Sequence, residues 1–547
     1  MTRTQQAVLV LGAGLNSLVL FWAGVGAERQ LMTWVILVLL TLTGKSLLGK
    51  AAKDICEPAA RIAVFLLIGL ASFTLVSLVL LHLGALPSIL GSLAFLGVGG
   101  ARGLRGKHKE KMSSILGPGT LAVCAFLAVG VAATSFYGFY RNPQAPDRHT
   151  HLEAALRGEG NWGWNADKRW WLIEHSRDLE SRGLPWESHL HEGVPVFYLT
   201  LARLTGGGGP AGIAQAYKAS GGMLIFALLI LAAWAARRIF RGGRVAGMVA
   251  VVSLPLFSPI SYHYLAGEHP WYLAFFNIWG SSSYLGFFPA GAGIHHNVTF
   301  FLGLLLGIGG GTCLLRSLQG KSTLLFPGAF LLAASLFFKP SFFAVAAPPF
   351  VLVFLLERKI PLRSKAAAGG IILLAAGSWF LYPRIFAVPT LEAKAIWQPF
   401  AVIAAHAARR FPPGTGFQEV SLAVCLLSFA VLVPIALEGG FRAGGEIKRR
   451  GMKLWATEHL AEIAVVLVFV TGAGSYALLA QEGGMFRHAN FSWGAGMGYA
   501  FLLPFLAVRL CRLRPAWLAA ATWLLYLFHL WGGAYHLYRL VGLGRIH

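Results

Sequence analysis

Charge is what this chain lacks most. Only 12% of its 547 residues are Asp, Glu, Lys or Arg, where a soluble globular chain carries about 25%. With 56% hydrophobic residues and a mean hydropathy of +0.63, that shortfall excludes an ordinary water-soluble domain. Acidic residues are the scarcer sign: 22 Asp and Glu stand against 46 Lys and Arg, for a net charge of +24. Cysteine is sparse too. Cys56, Cys124, Cys313, Cys425 and Cys511 fall in or next to apolar runs and form no metal-type pair, so no disulfide framework is expected. The chain has no P-loop, no H-E-x-x-H and no G-x-S-x-G, which removes the signatures of nucleotide hydrolysis, zinc proteolysis and serine-hydrolase chemistry. It has no periodic repeat, low-complexity tail or separate soluble domain. Nucleic acid is not an expected partner either: no binding motif for it is present, and the basic residues gather in short connections between apolar runs.

Those apolar runs are what the chain does have. Each is near the length that crosses a bilayer, and a spanning backbone must satisfy its own hydrogen bonds, so the runs predict helices. They cover 7–26, 31–48, 61–82, 87–100, 118–139, 219–236, 246–262, 296–314, 324–338, 341–356, 366–382, 421–437, 460–479, 496–510 and 516–532. The fold class is therefore an all-α polytopic membrane protein with about 15 transmembrane helices. The run at 194–204 is too short to cross and precedes G-G-G-G-P, so it is expected as a re-entrant or interfacial helix on the outer side. No signal-peptide cleavage site follows Met1-Thr2-Arg3, and the first run is expected as a retained helix.

The basic clusters set an orientation. They lie at 44–61, 101–111, 236–244, 316–321, 357–365, 442–453 and 509–514, and all fall on one side if 194–204 does not cross. The positive-inside rule makes that side cytoplasmic and predicts a multi-pass protein of the inner (plasma) membrane. Its basic ends face anionic headgroups. The other, periplasmic or extracytoplasmic, side then receives 140–218, 263–295, 384–420 and 480–495. The most polar interval of the chain, 140–204, is among them. It carries P-D-R-H-T-H-L-E, then Trp162, Trp164, Trp170 and Trp171, then P-W-E-S-H-L-H-E-G-V-P-V-F-Y-L-T-L-A-R-L.

This order of features resembles the glycosyltransferase C superfamily, polytopic enzymes that use a polyprenyl-phosphate-linked sugar. Three features carry the resemblance over roughly residues 118–384. Asp147 follows a span and precedes a short helical stretch; P-V-F-Y-L-T-L-A-R-L leads through a glycine break to a span ending A-A-R-R-I-F-R-G; and L-L-A-A-S-L-F-F-K-P-S puts Lys339 at the end of a small-residue span. The first outer stretch shows no D-x-D pair, where many relatives have one. The resemblance divides the chain into an N-terminal four-helix membrane extension (1–117), a core resembling the superfamily (118–384), and C-terminal membrane helices (385–547). It implies transfer of a sugar from a polyprenyl-phosphate donor to a cell-envelope glycan, lipid or protein on the outer face. An O-antigen ligase or polymerase type of enzyme is the alternative, distinguished by its lipid-linked glycan donor. A transporter or flippase ranks behind both, because no duplicated half is present.

The resemblance gives candidate roles to the outer residues. Asp147 suits the base that takes a proton from the acceptor hydroxyl, or a cation ligand; alternatively it only follows Pro146 in a turn. Glu153 is a second catalytic candidate, yet Thr150-x-x-Glu153 also reads as a capping box. His149, His151, Glu268 and His269 are candidates for lining a substrate cavity. Asp147, His149, His151 and His296 are candidates for a divalent cation (Mg, Mn or Ca). His295 and His296 are adjacent, and on a helix they would point in different directions. Glu482, Arg487 and His488 sit among Gly483, Gly484 and Gly494, where Arg487 suits a phosphate and equally suits a headgroup contact. Lys339 between two apolar runs suits the leaving phosphate, and Arg409-Arg410 suits that or an interfacial helix. The Trp pairs fit stacking on sugar faces or anchoring at the interface. Asn297 and Asn490 form sequons in sequence only.

Overall fold

The computed structural model describes residues 2–81, 83, 85–105, 115–133, 193–207, 210–257, 298–385, 395–399, 430–481 and 489–538. Its helices in the first half are α1 (Arg3–Trp22), α2 (Ala27–Leu48), α3 (Pro58–Leu81), α4 (Ala85–Arg105), α5 (Pro118–Ala132), α6 (Gly193–Leu204), α7 (Pro210–Trp234) and α8 (Arg244–Leu256). The second half has α9 (Val298–Leu318), α10 (Leu325–Phe338), α11 (Pro340–Leu356), α12 (Leu362–Ile385), α13 (Leu432–Arg450) and α14 (Met452–Glu458). It closes with α15 (Leu460–Leu478), α16 (Ala489–Leu510) and α17 (Ala516–Tyr538). Eight helices among the described residues are long and apolar enough to cross a membrane: α1, α2, α3, α7 with its extension to Ile239, α9, α12, α15 and α16. The chain is thus a helical, polytopic protein.

Local chemistry explains the helix ends. Thr2 and Gln5 exchange side-chain and backbone hydrogen bonds at the start of α1, a complete capping box. Pro118 occupies the first turn of α5, where its missing N–H leaves no bond unmade. Gly451, at φ 80°, ends α13 in a conformation that favours glycine. The basic run after Leu437, expected as a connection, is helical to Arg450 instead. It has the composition for it: Glu438 pairs with Arg442 one turn on, and Lys and Arg occupy the last turn, where the helix dipole favours cations.

The chain divides into two compact units. One comprises residues 1–234, 295–343 and 361–391, and the other residues 235–294, 344–360 and 392–547. In the first, helix backbones meet through glycine. A methyl group at Gly44 of α2 would lie 1.8 Å from the Phe65 carbonyl oxygen of α3, and one at Gly69 of α3 would lie 1.9 Å from the Leu40 carbonyl oxygen of α2. The two helices are antiparallel and cross where each has no side chain. Gly103 of α4 meets Leu42 of α2 in the same way, at 2.2 Å, and Gly310 and Gly328 form the corresponding contact between α9 and α10. In lipid there is little hydrophobic drive between helices, so such close approach supplies the association energy.

Connections from distant parts of the sequence meet at the ends of this unit. At one end Asp54 accepts from Lys321 at 3.1 Å and from Thr323, while Glu57 accepts from the backbone N–H groups of Ile115 and Leu116. Gln5 reaches the Leu116 carbonyl there. At the other, Lys218 donates to the Ala23 carbonyl and Arg29 to that of Gly206. The stretches 54–57, 115–116 and 321–323 therefore share one end.

The second unit is arranged similarly. Gly472 and Gly498 bring α15 and α16 together antiparallel. A methyl at Gly533 of α17 would lie 1.7 Å from the Leu256 carbonyl oxygen of α8. Beside it the Ser253 and Tyr526 hydroxyls bond at 2.6 Å, and His529 stacks on Phe257. At one end Glu438 joins Arg442 and Arg509, and Arg512 donates to the Arg241 carbonyl. A feature not expected from the sequence lies at the far end of α15: a two-stranded antiparallel ribbon, β1 (Ala395–Trp397) with β2 (Leu479–Gln481), in the register Ala395 to Gln481. It ties the stretch before residue 400 to the one before residue 482.

Gly44→Ala and Gly69→Ala are expected to destabilise the protein by roughly 1–3 kcal/mol each, as overpacked positions do. Gly370→Ala, with open space around it, is expected to be neutral or mildly stabilising. Thermal unfolding in detergent checks this; equal midpoints for all three would mean the glycine crossing does not hold α2 to α3.

Candidate functional site

Asp147, His149, His151, Glu153, Glu268, His269, His296, Glu482, Arg487 and His488 lie outside the described residues, as do Trp162, Trp164, Trp170, Trp171 and Arg409-Arg410. Lys339 is described, and its surroundings define the site.

Lys339 caps the C-terminal end of α10 with an extended backbone, φ −159° and ψ 100°, and Pro340 starts the next helix. Proline disfavours a helical conformation in the residue before it, which explains the break. The Lys339 N–H still bonds to the Ser335 carbonyl at 2.7 Å. The residue is 3% exposed. Ionisable side chains buried within membrane helices are rare and are candidates for functional sites.

One glycine touches the lysine itself and two more pack against its neighbours in sequence. Gly303 of α9 lies directly against it: a methyl there would come within 2.4 Å of the Lys339 Cβ and 3.3 Å of its backbone N. Gly307, one turn further along α9, makes room for the Phe342 ring. Gly193, the first residue of α6, abuts the Phe337 carbonyl and the Phe338 ring, with a methyl placed 3.0 Å from each. Ser341 is buried too, and its hydroxyl has no hydrogen-bond partner among the described residues.

Position follows from helix geometry. Fifteen residues of α9 separate Gly303 from Leu318 beside the basic end, about 22 Å along the axis. Lys339 therefore lies far from the Asp54–Lys321 end of its unit. α6 is buried from Gly193 to Ala202 and packs by Phe197 on Phe73 of α3 and by Tyr198 on Tyr217 of α7. Irregular or short helical backbone at membrane depth is tolerated where protein surrounds it. α6 starts at Gly193 against Phe337 and Phe338, the two residues that precede Lys339.

Sequence reasoning missed Gly303, Gly307 and Gly193. The first two had a signal in G-L-L-L-G, small residues four apart that let another chain approach closely. Gly193 carried none. Among the described residues no three of His, Cys, Asp and Glu stand close enough to hold a metal ion. No family model, curated protein or solved structure matches the chain.

Gly303→Ala is expected to cost more stability than Gly309→Ala on the same helix. The first methyl meets the Lys339 Cβ and backbone, which cannot yield, while the nearest atom to the second is the tip of Leu67. Equal melting midpoints for the two variants would show that Lys339 is not fixed by α9.

Proposed function

We propose that the chain is an integral membrane glycosyltransferase that takes a sugar from a polyprenyl-phosphate donor and delivers it to a cell-envelope acceptor on the extracytoplasmic face. One observation carries the reading. A buried lysine is held by a glycine of a neighbouring helix, and the two residues before it pack on Gly193, which in sequence directly follows the most polar stretch of the chain. Buried cations beside acidic and histidine-rich segments suit a substrate that combines an apolar tail with an anionic head.

The chemistry assigned to these residues is a single inverting displacement. The acceptor oxygen bonds to the anomeric carbon as the bond from that carbon to the phosphate oxygen breaks. Asp147 takes the acceptor proton, and the phosphate leaves on the lipid with the electron pair. Lys339 and Arg487 oppose the charge that grows on the phosphate. Glu153 is the second carboxylate for the proton. His149, His151, Glu268, His269, Glu482 and His488 line the cavity and orient the sugar. A divalent cation, if the reaction uses one, has Asp147, His149, His151 and His296 for ligands.

The test is transfer from a short-chain polyprenyl-phosphate sugar by purified protein. Asp147→Asn should abolish product while expression and donor binding persist. Lys339→Met should weaken donor binding and turnover together, and Lys339→Arg should recover part of both. Near-normal product from Asp147→Asn would remove that residue from the mechanism. Undiminished donor binding by a folded Lys339→Met would remove the lysine.

A further inference from the structure

At the basic end of the second unit, Arg442, Cys511, Arg512, Leu513 and Arg514 line an open cavity of about 450 Å³. We propose that it holds the headgroup phosphate of an anionic phospholipid, with α13 lying along the bilayer surface beside it. This inference rests on the chain being a membrane protein and is independent of glycosyl transfer.

Charge is the first observation. Arg442, Arg509, Arg512 and Arg514 gather at this end, with the Arg241 carbonyl accepting from Arg512, and Glu438 is the carboxylate the structure places with them. Glu438 is shared by Arg442 at 2.7 Å and Arg509. That leaves a cationic excess on the cavity wall. Further along, Glu446 and Glu462 approach His459, and Glu458 pairs with Arg450; these carboxylates do not line the cavity. A planar guanidinium suits phosphate geometry, and basic pockets between membrane helices are a recognised form of headgroup site.

The shape of α13 is the second. Ile435 is buried and Glu438 anchors the helix to Arg509 of α16. Val433, Leu437 and Phe441, four residues apart, form an exposed apolar stripe on another face, with Phe441 82% exposed. Lys448, Arg449, Arg450 and Lys453 follow. An apolar stripe flanked by basic residues is the pattern of a helix that lies in the interface. Trp517, exposed at the start of α17 three residues after Arg514, fits the same level. Together the stripe reaches the acyl chains while Arg442 and Arg512 meet the phosphate, which a soluble anion would engage without using the stripe.

Delipidated protein is titrated with phosphatidylglycerol or phosphatidylcholine, bound lipid is read by native mass spectrometry, and inorganic phosphate is a third arm. Wild type should prefer phosphatidylglycerol by roughly thirtyfold, the scale expected for two basic residues at the surface. Arg512→Gln with Arg514→Gln should erase that preference, and the double Lys variant should keep most of it. Equal binding of both lipids by wild type overturns the proposal, whatever the variants do. So does a folded double Gln variant that keeps the preference. A thermal shift with inorganic phosphate equal to that with phosphatidylglycerol would assign the cavity to a soluble phosphate and overturn the lipid.

Discussion

Backbone-to-backbone contact through glycine is the constraint on which the structure depends. A chain with so few charges has few salt bridges with which to specify its helix pairs, and lipid offers its apolar side chains as good an environment as a neighbouring helix does. What remains is shape. Gly44 and Gly69 let α2 and α3 touch, Gly310 and Gly328 do the same for α9 and α10, and Gly533 admits α8 against α17. Each is a position where any side chain would force the helices apart, so each helps fix register as well as distance.

The same device positions the one described residue of the candidate site. Gly303 continues the α9–α10 seam that Gly310 and Gly328 begin, and Lys339 sits at its far end. The seam thus delivers an ammonium to a fixed place, about four turns from the basic end. Gly193 brings the start of α6 to the same place. A buried ionisable residue within membrane helices is rare, and such residues are candidates for sites kept for chemistry.

Much of the architecture was legible in the sequence, because apolar length and scarcity of charge are strong signals for membrane helices. The grouping of basic connections was legible for the same reason: 44–61 and 316–321 are far apart in sequence yet meet through Asp54 and Lys321. Other features were not. The β1–β2 ribbon joins A-I-W to L-A-Q, two segments too short and too far apart to announce a pairing. The helical course of Arg442–Arg450 was hidden because a basic cluster reads as a connection, although its i,i+4 pairing favours helix. Lys339 was found from its odd position between apolar runs; its neighbours Gly303 and Gly193 needed the three-dimensional packing. The acidic and histidine candidates from Asp147 to His488 lie outside the described residues and rest on the sequence alone.

The claim on which the rest turns is that the α15–α16 pair of the second unit crosses a membrane with its basic end on the cytoplasmic side. Cys511, exposed at the basic end, and a cysteine replacing the exposed Gln398 beside the ribbon stand at opposite ends of the α15–α16 pair. Labelling with a membrane-impermeant maleimide, run above neutral pH because partial desolvation of its sulfur pushes the Cys511 thiol up, reads the side of each by peptide mass spectrometry. The account predicts that intact spheroplasts label Gln398→Cys and spare Cys511, and that inverted vesicles do the reverse. Labelling of both from the same side, or of Cys511 from outside, would contradict it.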